Sequence, residues 1–342
     1  MQQERIPVTI LTGFLGAGKT TLLNQLIAQY PDTKFAIIEN EYGDIGIDNE
    51  LVVGADDDIF ELSNGCICCT LNAELVKVLG KLVNSKHQFD HLIIETTGLA
   101  EPDGVAAAFV VDPAVQAYFR LDATVCLVDA PHVLEVLEER EEAKRQLTFA
   151  DYIIINKQSE VDTVELDKVE ATLQQINAFA KIERCNYGKI EQDILHLEAY
   201  EAHQIEREIE NQLEAKEKPH HHHHHDDHDH HDHHHHHHKD IISHSFVLDT
   251  PLDILKFRHW LNVLLMIQGQ YLYRIKGIIN FQYQDNKAIV QSVKKACVFQ
   301  QGEPWKADEK RQSKIVFIGK HLKREILEKQ LSNCYSKSHI PK

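Results

Sequence analysis

Positive charge is what this chain is short of. It sets 36 Lys and Arg against 53 Asp and Glu, for a net charge of −17 over 342 residues. Phosphate backbones are held by clustered Lys and Arg, so no nucleic-acid partner is expected. Acidity of this kind favours solubility and draws cations. Long apolar runs are lacking too. None approaches the ~20 residues that span a bilayer, so no membrane partner is expected. Met1 to Arg5 pass into an apolar stretch with no charged n-region and apolar core, so a secretory leader is not expected and the chain reads as cytoplasmic. Aromatics are scarce at 7% within 43% hydrophobic residues, an ordinary balance for an α/β protein, and the length leaves room for two domains. Cysteines number seven, three of them in Cys66-Ile67-Cys68-Cys69. Thiols that close in sequence are poorly placed to bridge one another, so the cluster reads as a reduced metal or redox site.

What the chain does have, near its start, is Gly13-Phe14-Leu15-Gly16-Ala17-Gly18-Lys19-Thr20, a full P-loop pattern. An apolar run (Val8 to Leu11) precedes it, and a helical stretch from about Thr20 to Gln29 follows. The nucleotide-binding expectation falls on Gly13, Gly16, Ala17, Gly18, Lys19, Thr20 and Thr21. The glycines let successive backbone N–H groups face one anion, Lys19 brings a catalytic charge to the outer phosphates, and the Thr20 hydroxyl is placed to ligate Mg2+. The helix dipole adds to this. His91 to Glu95 is an apolar strand ending on a carboxylate, and Glu95 is expected to be the catalytic acid that holds the Mg2+ shell or its water. Gly98 behind it is free to move when the γ-phosphate leaves, and Leu99 to Pro102 opens a switch loop and helix.

A further strand, Tyr152 to Ile155, runs into Asn156-Lys157-Gln158-Ser159. Asn156 and Lys157 match the base-reading motif of GTPases, whose fourth position is normally Asp. Ser159 accepts one uncharged hydrogen bond where an aspartate accepts two, a loss of roughly 1–3 kcal/mol that weakens guanine preference against ATP. Asp162 is the alternative acceptor if the loop bends.

Three features concern metal. The strand Phe35 to Glu39 ends in Glu39-Asn40-Glu41-Tyr42-Gly43-Asp44, an acidic turn at the strand end where parallel sheets bind ligands, or else a solvated turn. The cysteine cluster lies between a short strand at Ile59 to Leu62 and a helix over Leu71 to Val83, where the helix dipole favours thiolate. Cys-X-Cys-Cys cannot close a tetrahedral zinc shell alone, and Glu39 or Asp44 can add the missing ligand; redox thiols and inert buried thiols are the competing readings. From His220 to His238, fifteen of the 24 histidines alternate only with aspartate. With nothing apolar to bury, that stretch is expected to be a disordered loop. Its histidines, among them His220, His225, His233 and His238, bind Zn2+, Ni2+, Cu2+ or Co2+ with low selectivity as they deprotonate near pH ~6.5.

Strand and helix alternation up to Cys185 predicts a doubly wound, mostly parallel α/β sheet of six or seven strands. A charged helical exit follows at residues 198–218. Beyond the loop the pattern predicts a smaller α+β domain with an antiparallel sheet. Its strands are Phe246 to Leu248, Leu272 to Phe281, Ala288 to Val293, Ala296 to Gln300 and Lys314 to Ile318. One helix is opened by Pro251 and another closes the chain at Arg324 to Leu331. Trp260, Trp305, Tyr271 and Tyr273 read as its core or rim. The expected domains are 1–215, 216–240 and 241–342.

Taken in order, the P-loop, the Glu39 to Gly43 turn, the Gly65 to Cys69 cluster, the Glu95-Thr96-Thr97-Gly98 strand end and the Ile315 to Gly319 strand resemble the CobW-type (CobW/YjiA-like) P-loop GTPases, metal chaperones, in their zinc-associated branch. The resemblance covers nearly the whole chain. It implies a P-loop NTPase that hydrolyses GTP with Mg2+, and a CXCC site at which Glu39, Asp44, Cys66, Cys68 and Cys69 face Zn2+. It also implies nucleotide-dependent delivery of the ion to client metalloproteins, which the C-terminal domain meets. Ser159 is the departure from the family pattern. The alternatives are a GTPase that inserts Co2+ or Ni2+, and a His-rich zinc store with a weak NTPase.

Overall fold

Two sheets organise the chain. A computed structural model describes residues 5–39, 71–84, 89–96, 102–217, 241–293 and 295–336. In chain order the first part contains β1 (Ile6–Gly13), α1 (Lys19–Gln29), β2 (Phe35–Glu39), α2 (Leu71–Val83), β3 (His91–Glu95), α3 (Pro102–Val111), α4 (Pro113–Gln116) and β4 (Phe119–Asp129). It continues with α5 (Val133–Glu139), α6 (Glu141–Phe149), β5 (Tyr152–Asn156), α7 (Thr163–Ile176), β6 (Lys181–Arg184) and α8 (Ala202–Glu217). The six strands pair in the order β2-β3-β1-β4-β5-β6, every pair parallel.

Such a sheet must bury both faces, and the near-continuous apolar strands supply them. Ile37, Ile93, Leu11, Val125 and Ile154 pack on Leu22, Leu23 and Leu26 of α1. Their neighbours Ile38, Ile94 and Ile10 pack on Leu75, Leu79 and Val105 of α2 and α3, while Ile153 and Ile155 meet Leu147, Val169 and Leu173 of α6 and α7. Because β3 and β4 flank β1, the chain leaves β1's carboxyl end at a topological switch point, where open α/β sheets bind ligands. The expected strand at 59–62, the acidic turn after Glu39, the cysteine cluster and the histidine run lie outside the described residues.

The second sheet is built from β7 (Ile241–Leu248), β8 (Leu272–Ile279), β9 (Asn286–Val293), β10 (Ala296–Pro304) and β11 (Ser313–Lys320), with helices α9 (Ile254–Gln268) and α10 (Arg324–Ser332). Its order is β10-β9-β8-β11-β7, all antiparallel. One face carries Ile275, Ile279, Val290, Ile315 and Phe317 against Phe257, Leu261, Leu264, Leu327 and Leu331 of the two helices. Pro251 does not open α9 as expected. Asp253 does, its carboxylate accepting from Leu255 N (2.9 Å) and Lys256 N (3.0 Å), because an aspartate caps orphan N–H groups and Leu252 is drawn into bridges with Phe281 and Tyr335.

The other face of this sheet meets the first. Alternation along β8 turns Arg274, Lys276 and Ile278 away from α9, and both cations are fully buried. Arg274 reaches the Asp151 carboxylate at the root of β5 and donates to the carbonyls of Phe149 and Ala150 (3.1 Å for the latter), neutralising the negative end of α6. Lys276 pairs with Glu208 and stands 3.5 Å from Asp151, whose second oxygen accepts from Thr124 N at 2.9 Å. Helix α8, read as a charged exit, is thus a strut between the sheets. Ile205 and Ile209 sit among Ile278, Ile289, Val316 and Ile318, while Glu206 takes Lys287 at 3.1 Å.

Removing one partner from a buried ion cluster leaves an uncompensated charge. Arg274→Ala is expected to cost about 3–5 kcal/mol in urea unfolding. Arg184→Ala, which breaks solvent-facing pairs to Asp167 and Glu170, should cost about 0–1 kcal/mol. A pH effect follows from His91, which is 2% exposed with Nε2 2.9 Å from Thr9 Oγ1. Burial first, then His196 and Arg120, push its imidazole down to about 3 against the pull of Asp193. The unfolded chain takes this proton near pH ~6.5 while the fold refuses it, so His91's contribution is intact above that pH and drains away as pH falls towards 3. The urea midpoint should therefore fall between pH 6.5 and 4, and His91→Gln should flatten that decline.

Candidate nucleotide site

The loop after β1 can only be made of glycine where it is tightest. A Cβ on Gly13 (φ 141°) would sit 2.2 Å from Leu127 O on β4, and one on Gly18 (φ 100°) would sit 2.5 Å from Asn156 Nδ2. These turns start α1 at Lys19 with no side-chain cap and no acid in its first turn. Its leading N–H groups and dipole therefore face the loop as an anion site. Lys19 is 8% exposed, its Nζ donating to Gly13 O at 3.0 Å and Phe14 O at 3.4 Å. Burial lowers its pKa, with Glu95 and then Cys126 opposing. A buried ammonium in a ring of backbone dipoles is well matched to phosphate.

Glu95 ends β3 in register with Leu11 on one side and Glu39 on the other. Thr96 N, donating to Leu11 O at 2.8 Å, continues the ladder and holds the strand end beside the P-loop. Thr20 is half-buried in the first turn of α1 and Thr21 is exposed. A threonine hydroxyl and a carboxylate form an all-oxygen donor set that suits Mg2+ rather than a softer ion. Gly98 lies outside the described residues.

The second half of the site centres on Asn156, 3% exposed at the end of β5. Its Nδ2 donates to Ala17 O at 2.9 Å, and its Oδ1 accepts from Gly188 N at 3.3 Å and from the Cys185 thiol at 3.5 Å. Lys157 follows in the left-handed region (φ 58°) and pairs with Asp129, which also meets His132 Nδ1 at 3.0 Å. Ser159 donates from N (3.1 Å) and Oγ (3.0 Å) to Asn186 Oδ1. Asp162, the alternative base reader, is spent elsewhere: it caps α7 by accepting from Glu165 N at 2.8 Å.

Asp129 and Asn186 were not among the expected site residues. Asp129 was legible as a strand-end acid in register with Asn156, and Asn186 as part of the loop leaving the last parallel strand. Of the expected metal ligands, Glu39 is placed through its backbone. Asp44, Cys66, Cys68, Cys69, His220, His225, His233 and His238 lie outside the described residues. Among the described residues, no group of three or more His, Cys, Asp or Glu is arranged to hold a metal. The four described cysteines are free thiols pushed up by burial, Cys126 and Cys297 to about 12, Cys185 and Cys334 to about 11. Thiols held that high are poor ligands.

Asn156→Ala should weaken binding of a fluorescent guanine diphosphate at least about tenfold, because the loop and strand lose their common tie. Lys19→Ala should cut turnover by roughly a hundredfold or more, measured as phosphate release.

Comparison with known proteins agrees with this geometry. Residues 7–184 match the family model for the CobW/HypB/UreG nucleotide-binding domain, and residues 241–335 match that for the cobalamin synthesis protein CobW C-terminal domain. The chain is 33% identical over 324 residues to the zinc chaperone YjiA of Escherichia coli K12, covering 94% of this chain and 96% of that protein. It is 31% identical over 360 aligned positions to the zinc chaperone CobW of Pseudomonas aeruginosa, covering 96% and 91%. It is 37% identical over 207 residues to zinc-regulated GTPase metalloprotein activator 1 of Schizosaccharomyces pombe, covering 58% and 50%. The crystal structure of Zn(II)-bound YjiA GTPase from E. coli superposes with a TM-score of 0.71 at 28% identity, covering 98% of this chain and all of that one (100%). With the P-loop, the strand-end acid and the Asn-Lys pair at one sheet edge and a second antiparallel domain behind them, the chain belongs to the CobW/HypB/UreG family of P-loop nucleotide-binding proteins.

Proposed function

We propose that the chain is a GTP-hydrolysing metallochaperone. It takes Zn2+ at the CXCC cluster and hands it to a client metalloprotein when the nucleotide state changes. The P-loop GTPase chemistry belongs to the nucleotide half. Lys19 and the α1 N–H groups take the outer phosphates, while Thr20 and Glu95 would hold Mg2+, which when bound with GTP offsets charge on the phosphates. Glu95 is also the group placed to orient the attacking water. The proposed domain division is a nucleotide unit at 1–215, a metal-gathering loop at 216–240 and a client-meeting unit at 241–342.

The observation that carries the metal half is the register pair Glu39 and Glu95 on adjacent strands. Neighbouring strands lie ~4.8 Å apart, so the acid beside the γ-phosphate position and the first proposed zinc ligand leave the sheet side by side. The sequence running on from Glu39 carries Asp44 and then Cys66, Cys68 and Cys69. Thiolates with one carboxylate match a tetrahedral Zn2+ shell. The relatives named zinc chaperones support zinc as the cargo. Ions reach the site from the loop at 220–238, whose imidazoles release metal as they protonate below pH ~6.5. Linkage then requires reciprocity: if phosphate alters zinc affinity, zinc alters nucleotide affinity by the same factor.

The test is Zn2+ affinity of the chain lacking 220–238, compared with GDP and with a non-hydrolysable GTP analogue. A shift of tenfold or more, about 1.4 kcal/mol of coupling, lost in Cys68→Ala, is expected. Equal affinities in both nucleotide states would reduce the protein to a metal store beside an unconnected hydrolase.

A further inference from the structure

Among the described residues, two carboxylates at this sheet edge are already engaged. Asp129 is engaged by Lys157 and His132, and Asp162 by its helix cap. What stands after the Asn-Lys pair is the couple of Ser159 and Asn186. Since a carboxamide oxygen only accepts, the bond from Ser159 N at 3.1 Å fixes the amide: Oδ1 faces Ser159 and Nδ2 faces away. The serine hydroxyl at 3.0 Å spends its proton on the same oxygen. The couple therefore keeps one neutral acceptor, the lone pairs of Ser159 Oγ, and one pair of donors, the Asn186 Nδ2 hydrogens.

The couple is also held in place. Gly188 N donates to Asn156 at 3.3 Å, and a Cβ on Gly188 (φ 67°) would stand 2.8 Å from Leu22 Cα, so the loop rests directly on α1. On either side, Lys157 (φ 58°) and Tyr187 (φ 54°) are non-glycine residues in the left-handed region. Strain of that kind persists where the surroundings enforce it, and it gathers at binding sites. Ser159 is exposed and Asn186 half-exposed at the edge that holds the phosphate loop.

We propose that Ser159 and Asn186 together read the edge of the base, and that they take hypoxanthine nearly as well as guanine while refusing adenine. The argument is a count of donors and acceptors. Guanine presents N1–H and N2–H2 beside its O6, and a carboxylate would accept from both nitrogens with charge assistance. Here Ser159 Oγ accepts from N1–H and Asn186 Nδ2 donates to O6. Hypoxanthine gives the same two bonds, through its own N1–H and O6. Adenine inverts the pattern, setting N6–H against the Nδ2 donor and bare N1 against the Oγ acceptor. Only the guanine N2 amino group goes unread. Asn186 is thereby a specificity-determining residue of the site, an inference that rests on the nucleotide-hydrolase reading above.

Competition of GDP, IDP and ADP against a fluorescent guanine diphosphate on the full chain tests it. The Kd values of GDP and IDP are expected to fall within about tenfold of one another, with ADP weaker than both. Ser159→Asp restores a carboxylate that accepts from both N1–H and N2–H2, and should raise the GDP to IDP preference by about tenfold or more. Asn186→Ala should weaken GDP and IDP by a similar factor, since each loses the Nδ2 donor. A preference for GDP over IDP beyond about tenfold in the unmodified chain, ADP binding as tightly as IDP, or a GDP to IDP ratio unmoved by Ser159→Asp overturns the proposal and leaves the hydrolase reading standing. Failure of the fluorescent nucleotide to bind at all would remove that reading, and this inference with it.

Discussion

Both ends of the Asn156 carboxamide are spent inside the protein, Nδ2 on Ala17 O and Oδ1 on Gly188 N and the Cys185 thiol. A buried amide that loses a partner costs about 1–3 kcal/mol, so the three segments it joins are held to one geometry. They come from positions 17, 156 and 188, far apart in the chain. One is the phosphate loop, one ends a parallel strand, and one leaves the last strand of the sheet. The spacing between phosphate and base, the strain at Lys157 and Tyr187, and the lie of the loop on α1 all depend on this junction. Gly18 is glycine for the same reason, because a side chain there would displace the amide.

The strand that ends at Asn156 is rooted at Asp151, and this root belongs to the second sheet as much as to the first. Arg274 and Lys276 converge on it from β8, and Thr124 N holds its other oxygen. Five residues of β5 thus separate the interdomain ion cluster from the nucleotide junction, a distance of ~17 Å along a strand. Ion pairs buried this deeply are costly to desolvate and are weak evidence of stability in themselves. What they supply is position: the C-terminal sheet is keyed to β5 by donors and acceptors that match at one register only. On the other side of β1, Glu39 and Glu95 end adjacent strands in register.

Local chemistry made much of this legible. The P-loop, Glu95 and the Asn156-Lys157 pair could be read because each depends on a short run whose backbone and side chains act together. The strands at Phe35 to Glu39, His91 to Glu95 and Tyr152 onward, and the helix at Leu71 to Val83, followed from apolar periodicity. Other features were hidden because they depend on distant partners. Pro251 looked like a helix start until Leu252 was seen bridged to Phe281 and Tyr335, leaving Asp253 to cap α9. Helix α8 read only as a charged exit because the partners of its glutamates are distant; Lys276 and Lys287 lie 68 and 81 residues further along the chain. Asp162 was a fair candidate for the base until the first turn of α7 claimed its carboxylate.

The sequence by itself determined that a P-loop pattern runs from Gly13 to Thr20, that Glu95 stands at a strand end, and that Ser159 is the fourth residue of the run that Asn156 and Lys157 open. Each follows from residues adjacent in the chain, whose backbone geometry nearly dictates their chemistry. The tertiary structure alone decided what Ser159 faces, what Asp129 and Asp162 are engaged with, and which charges are buried between the two sheets. Those outcomes turn on side chains brought together from tens or hundreds of residues apart. Hydrogen-bond geometry that strict is settled only when both partners have been placed.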